Sequence, residues 1–325
     1  MRPVLSVLTN PLPVGKNFLP ETIHRVARSF KYRLKTRSFD SHPRYRGHFA
    51  VTRSLVEGLQ KINANFNYNP NSLSELGDIA LVLAGVRTLR QAIHLKQKGK
   101  IRKLFAGPNI VSFSTDFNSI IASPEIDNVI TPCEWVIEHY VQDNTSLRKR
   151  ILSWPAGVDM HYWAPSSTNN RDRILFFEKQ NTGVVGPIKP YAEYLQNLGW
   201  SVDTLRYGSF QHQDYRDLLQ RSCLMVGFAN SESQGIAWAE AWAADVPTLL
   251  WRNDYDVING RLLKTSTAPY LCKENGLFFS DLEDFKKKVS YWQSNREEFT
   301  PRAWTLNNMS DEVCARKIYS RVMSC

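Results

Sequence analysis

The chain holds 325 residues, with 41 Lys/Arg against 31 Asp/Glu for a formal charge of +10, and 42% apolar and 22% charged side chains. That is the composition of a folded protein long enough for about two domains, and it excludes a disordered, collagen-like or coiled-coil chain. No apolar run approaches the ~18 residues that cross a bilayer. Cys133, Cys223, Cys272, Cys314 and Cys325 are odd in number and never spaced C-x-x-C, which argues against a disulfide framework or a zinc knuckle and for a reducing compartment.

Short apolar runs alternate with helical stretches from the start. Val4–Leu8 reads as a first strand, too brief before Pro11 for a signal peptide. Ile79–Ala84, Ile101–Ala106, Asn128–Thr131 and Ile151–Trp154 follow as strands, with Thr88–Gln97 and Cys133–Gln142 as helices. The strands are continuously apolar rather than alternating, as when helices cover both faces of a parallel sheet. The polar stretch Pro165–Asp172 has no periodicity and reads as a linker. Beyond it the alternation resumes. Ile174–Phe177, Val202–Leu205, Leu224–Phe228 and Thr248–Trp251 read as strands, and Pro187–Leu198, Tyr215–Arg221 and Gly235–Ala244 as helices. Ser310–Ser324 forms a closing helix. The expectation is an α/β protein of two domains, 1–165 and 172–325, whose last helix can return to the first. A cleft would then lie between two sets of strand C-termini, where open α/β sheets bind ligands.

The charge is uneven. Residues 1–170 carry 22 basic and 12 acidic side chains, leaving 41 − 22 = 19 and 31 − 12 = 19 for residues 171–325. The basic excess is densest at Arg25, Arg28, Lys31, Arg33, Lys35, Arg37, Arg44 and Arg46. A solvated surface is the plainest reading, and an anionic membrane or polyanionic acceptor comes next. Nucleic acid is disfavoured, since no zinc finger, RNA-recognition signature or helix-turn-helix accompanies the charge.

The most informative stretch is Ser231-Glu232-Ser233-Gln234-Gly235-Ile236-Ala237-Trp238-Ala239-Glu240-Ala241-Trp242-Ala243-Ala244-Asp245-Val246-Pro247. It joins two predicted strands. Ser231-x-x-Gln234 has the form of a capping box, and the alanines make a slim helix. Gly235 clears the helix start, where unpaired N–H groups and the positive dipole end suit a phosphate. Glu232 then precedes the helix and Glu240 lies inside it, so two carboxylates flank an anion site at different depths. A buried Glu is costly unless paired, which argues against an accidental core position. Trp238 and Trp242, four apart, read as core rather than as a sugar platform.

The Glu232-x7-Glu240 spacing, with Pro247 and a strand after it, resembles the E-x7-E signature of retaining GT-B glycosyltransferases, especially glycosyltransferase family 4. Thr131-Pro132-Cys133-Glu134-Trp135-Val136 resembles a turn late in their first domain, and Pro155-Ala156-Gly157-Val158-Asp159 resembles their crossover into the second. The likeness spans residues 125–260. It implies the GT-B fold: two Rossmann-like β/α/β domains with an interdomain cleft. It also implies transfer of a sugar from a nucleotide-diphosphate sugar to a glycan, lipid-linked or other glycoside acceptor with retention of configuration. Glu240 would hold the ribose, Glu232 the donor sugar, and Ser231, Ser233, Gln234, Gly235 and Ile236 the phosphates. Departures are Lys179 (with Lys189 further on) where the family has an Arg and a Lys, no Gly-rich loop at Asn10–Lys16, and Asp245 for Gly at the helix end.

Lys179 is the expected catalytic cation beside Glu232, and Tyr207 and Gly208 are the expected neighbours of the nucleobase. His48, Arg87 and Asn109 are candidates for the acceptor side, and His42 is a weaker one. Asp254-Tyr255-Asp256 mimics a D-x-D metal motif but reads as a loop pair, so no metal and no cofactor is expected. The expected location is cytoplasmic, with peripheral attachment to the inner face of a membrane through the basic half. The alternative is a nucleotide-sugar-binding or regulatory subunit of the same shape without turnover.

Overall fold

A computed structural model describes residues 4–9, 48–70, 72–166, 170–179 and 188–324. The basic cluster Arg25–Arg46, His42 and the Asn10–Lys16 segment lie outside them. The chain divides into two compact units, Met1–Trp154 with Cys314–Cys325, and Pro155–Val313. The border at Trp154 and Pro155 falls ahead of the stretch expected as linker, and most of the closing helix belongs to the first unit.

The first unit is built on a 6-stranded sheet, all of it parallel, in the order β2-β1-β3-β4-β5-β6. The strands are β1 (Leu5–Leu8), β2 (Phe66–Tyr68), β3 (Ile79–Ala84), β4 (Lys103–Asn109), β5 (Asn128–Thr131) and β6 (Ile151–Ser153). Helices α1 (His48–Lys61), α2 (Val86–Gln97) and α3 (Glu134–Asp143) connect them. Every residue of β1 and all of Ile79–Leu83 are buried, which is why these runs are apolar without alternation. Trp154 closes the unit by donating its indole N–H to the Cys314 carbonyl at 2.9 Å. Burial pushes the Cys133 thiol up to about 12, and the side chain packs in the core.

The second unit has a 5-stranded parallel sheet in the order β13-β10-β9-β7-β8. Its strands are β7 (Arg173–Lys179), β8 (Ser201–Arg206), β9 (Ser222–Ala229), β10 (Thr248–Trp251) and β13 (Gly276–Phe279). Between them run α4 (Lys189–Asn197), α5 (His212–Gln220) and α6 (Ile236–Ala243), and after them α7 (Leu282–Ser294) and α8 (Pro301–Asn308); of α9 (Asp311–Met323), the residues from Cys314 on belong to the first unit. A hairpin of β11 (Tyr255–Ile258) and β12 (Arg261–Lys264) stands apart as its own 2-stranded sheet. Aromatic rings fill one face of the main sheet: Phe176, Tyr191, Phe228, Phe279, Phe285 and Trp292 are buried together. From β7 the chain steps to β8 on one side, then crosses to β9 on the other. The carboxyl ends of β7 and β9 thus form the point where strand order reverses, the place where such sheets offer a crevice.

Candidate functional site

Lys179 is the last residue of β7 and pairs in register with Ala229, the last of β9. The loop that leaves β9 returns Glu232 to the same spot, with its Oε1 2.5 Å from Lys179 Nζ. Tyr207 follows β8 directly and donates its backbone N–H to the Glu178 carbonyl at 2.8 Å. The Lys179 ammonium stands 4.7 Å from the centroid of the Tyr207 ring. Residues from three strand ends, far apart in sequence, therefore meet at the switch point. Glu232 is 8% exposed and Tyr207 45% exposed, so a buried carboxyl group, a lysine amine and an open tyrosine meet at this point. Gly208 turns the chain just beyond, at φ +88°.

The helix expected at 235–244 is α6. Gly235 caps it in the left-handed region, φ +62°, and no side chain caps it, so the Ser231/Gln234 capping box does not form. The two side chains are engaged by partners distant in sequence. Ser231 Oγ donates instead to Asp256 Oδ2 at 2.6 Å, and Gln234 Oε1 accepts from the Ala156 N–H at 3.0 Å. Gln234 Nε2 is buried with no partner among the described residues. Ser233 precedes and Ile236 follows this cap at the helix entrance, where first-turn N–H groups lack intrahelical acceptors. The helix seats against the sheet through Trp238, whose ring lies where a Cβ on Gly227 or on Gly235 would be, at 2.8 Å in each case. Trp238 donates to the Thr267 carbonyl at 2.8 Å and Trp242 to Thr248 Oγ1 at 3.0 Å; both are core residues, as their spacing suggested. At the far end Asp245 takes the left-handed position, φ +61°, where glycine is usual. The Val246 N–H reaches the Ala241 carbonyl at 2.9 Å and the Asp245 N–H the Trp242 carbonyl at 3.0 Å, a Schellman ending.

Glu240 lies inside α6 and is 7% exposed. Its Oε1 is 3.9 Å from Nε2 of His212, the first residue of α5, a partner that sequence reasoning missed. Trp163 stands edge-on to the His212 ring, with centroids 6.1 Å apart. Burial, and then the Glu240 charge, push the neighbouring Tyr215 phenol well above its ordinary range; its hydroxyl donates to the Ala237 carbonyl at 2.6 Å. Asp256, which the sequence presents only as half of a D-x-D pattern, has a different task. It holds the site loop through Ser231, while Asp254 accepts from Arg252 Nε at 3.0 Å, so the two carboxylates are engaged separately. Lys189 is not part of the cluster: it sits on α4, exposed, 3.3 Å from Glu193.

In the first unit Asn109 ends β4 in register with Ala84, the end of β3, and its Nδ2 is buried with no partner among the described residues. Arg87 is exposed in the first turn of α2, which starts at that same edge. His48 is the first residue of α1.

No protein-family model and no curated protein matches the sequence. Solved structures do resemble it. AviGT4, a glycosyltransferase involved in Avilamycin A biosynthesis, superposes with a TM-score of 0.53 at 11% identity over 99% of this chain and 98% of that one. The apo form of the lipopolysaccharide outer core galactosyltransferase WaaB gives a TM-score of 0.53 at 11% identity over 99% of each. A chain of the GtfA/B complex gives 0.51 at 14% identity over 76% of this chain; this chain spans 58% of its length. These are GT-B proteins, and the chain has the GT-B fold, with a parallel Rossmann-like sheet in each unit.

Proposed function

We propose that the chain is a glycosyltransferase that uses a nucleotide-diphosphate sugar and retains the configuration of the transferred sugar. The observation that carries this reading is the convergence of Lys179, Glu232 and Tyr207 at the strand-order switch, beside the Gly235 entrance of α6. In this reading the diphosphate lies on the first-turn N–H groups of α6, with Gln234 Nε2 as a further donor and Lys179 as the counter-charge. Glu240 accepts from the ribose hydroxyls, and the base lies along Tyr207 and Gly208. As the bond between the anomeric carbon and the phosphate oxygen breaks, negative charge grows on the departing phosphate. Lys179 and the helix amides stabilise it where it appears. The acceptor hydroxyl bonds to the anomeric carbon from the same face, and its proton passes to the departing phosphate. Glu232 orients the sugar and is not a nucleophile. The protein's own cations supply the charge stabilisation that a metal supplies in other transferases.

The acceptor class is a glycan, a lipid-linked intermediate or another glycoside, with Asn109, Arg87 and His48 as candidate contacts. The Nδ2 of Asn109, buried with no partner among the described residues, supports that assignment, being a donor suited to a sugar hydroxyl.

The test is a thermal-shift screen with UDP-, GDP-, ADP- and TDP-sugars, followed by donor hydrolysis without acceptor. One nucleotide class should raise the melting temperature in proportion to affinity, and slow release of free sugar should follow. Binding without any release of sugar would assign a binding subunit instead, and no shift with any donor would overturn both.

A further inference from the structure

The β11/β12 hairpin turns through Asn259 and Gly260, both at positive φ (48° and 79°), the two-residue turn that matches strand twist. Its register sets Tyr255 opposite Lys264 and Val257 opposite Leu262, so these four side chains share one face. Asp256 and Leu263 share the other face, where Leu263 is buried against the body. The outer face is open: Tyr255 is 58%, Val257 63% and Leu262 70% exposed. Both acidic groups of the hairpin region are engaged by the protein, Asp254 by Arg252 and Asp256 by Ser231 and the Val257 N–H. Lys264, exposed, stands on the same face at the base of the apolar ridge, while Arg261 pairs with Ile258 on the other face.

We propose that this hairpin is an interfacial anchor that inserts Tyr255, Val257 and Leu262 into an anionic lipid surface, with Lys264 at the headgroups. An apolar ridge with a tyrosine on it and a lysine beside it matches the layers of a bilayer interface. A second protein is the poorer match, since three side chains fall far short of the ~1,200–2,000 Å² that a stable complex buries. The hairpin is also firmly held. Ser231 to Asp256 (2.6 Å), Asn253 Nδ2 to the Asn230 carbonyl (2.7 Å) and the Glu232 N–H to the Ser266 carbonyl (2.8 Å) bind its flanks to the loop that carries Glu232. Docking of this kind does not depend on the sugar-transfer reading.

The experiment is flotation of the full chain with phosphatidylcholine vesicles, with and without phosphatidylglycerol. Wild type should float with the anionic vesicles and much less with the neutral ones. The double substitution Val257→Asp/Leu262→Asp should reduce flotation by about tenfold or more, and Lys264→Glu should reduce the preference for phosphatidylglycerol. An unchanged melting temperature shows that the variants fold, and Val257→Ser/Leu262→Ser serves as the milder pair. Flotation equal to wild type in both double variants overturns the anchor and leaves lipid binding to other basic segments. A wild type that does not float with anionic vesicles overturns it as well. So does a wild-type dimer, seen by sedimentation, that the same substitutions dissociate while flotation is unchanged; the ridge then belongs to a second copy.

Discussion

Lys179 Nζ and Glu232 Oε1 meet at 2.5 Å, joining the end of β7 to the loop after β9. Each is a candidate for a separate task on the donor, and each holds the other in place. Removing the cation alone strands a carboxylate that is 91% buried by its side chain, since 9% is exposed. Lys179→Met should therefore destabilise the protein by about 2 kcal/mol, and Lys179→Met/Glu232→Gln should recover much of that loss. Urea denaturation of these two and of Glu232→Gln alone measures the coupling. Single losses that simply add up in the double variant would show that the pair contributes no mutual stabilisation. Turnover should stay about 10²-fold or more below wild type in both Lys179 variants, because the phosphate has lost its cation.

The two glutamates should separate kinetically. Glu232→Gln and Glu232→Ala should lower turnover far more than nucleotide affinity, since this residue is assigned to the sugar. Glu240→Ala should weaken all nucleotides of the preferred base, with or without a sugar attached, by about tenfold or more. Isothermal titration with the nucleoside diphosphate, beside steady-state rates, reads both. Unchanged turnover in both Glu232 variants would remove its assignment.

Gly235 combines two demands: a backbone in the left-handed region and no Cβ where the Trp238 ring stands 2.8 Å away. Gly235→Ala should lower stability by about 1–2 kcal/mol. It should also weaken donor binding beyond what that loss explains, by displacing the first turn of α6. Thermal denaturation with and without nucleotide tests this, and a normal nucleotide-induced shift would free the helix entrance of its assigned role.

The strands were legible because parallel strands buried on both faces leave unbroken apolar runs. Ile79–Ala84, Asn128–Thr131 and Thr248–Trp251 match their predicted bounds to the residue. α6 was legible from its pattern, and the cost of burying a lone carboxylate pointed to the partners that Glu232 and Glu240 have. The helix cap was not, because Ser231 had a competing acceptor in Asp256, 25 residues away, that no local pattern shows. His212 was hidden for the same reason: its partner Glu240 comes from another element. The hairpin did leave a signal, the Asn259-Gly260 turn between short apolar runs, and Asp254-Tyr255-Asp256 drew attention away from it. β13 and α7 follow that hairpin and were missed with it.

Asp203 on β8 accepts from Arg173 Nε at 2.6 Å and Nη2 at 2.8 Å, and Arg221, just past α5, reaches it at 3.3 Å. The Arg173 hydrogen bonds, aided by the Arg221 charge against the opposing effect of burial, hold its carboxyl below the ordinary range. A carboxylate whose folded pKa is depressed stabilises the fold above its unfolded pKa of about 3.9, and that contribution fades as pH falls through the folded value. Asp203→Asn should therefore lower the urea midpoint at neutral pH, and the gap to wild type should narrow steadily below about pH 4. Salt should narrow it too at neutral pH, because the pair is partly exposed. Midpoints measured from pH 7 down to about pH 2.5, spanning that window, give the answer. Parallel curves for the two proteins would show that the clamp across β7, β8 and α5 adds nothing to stability.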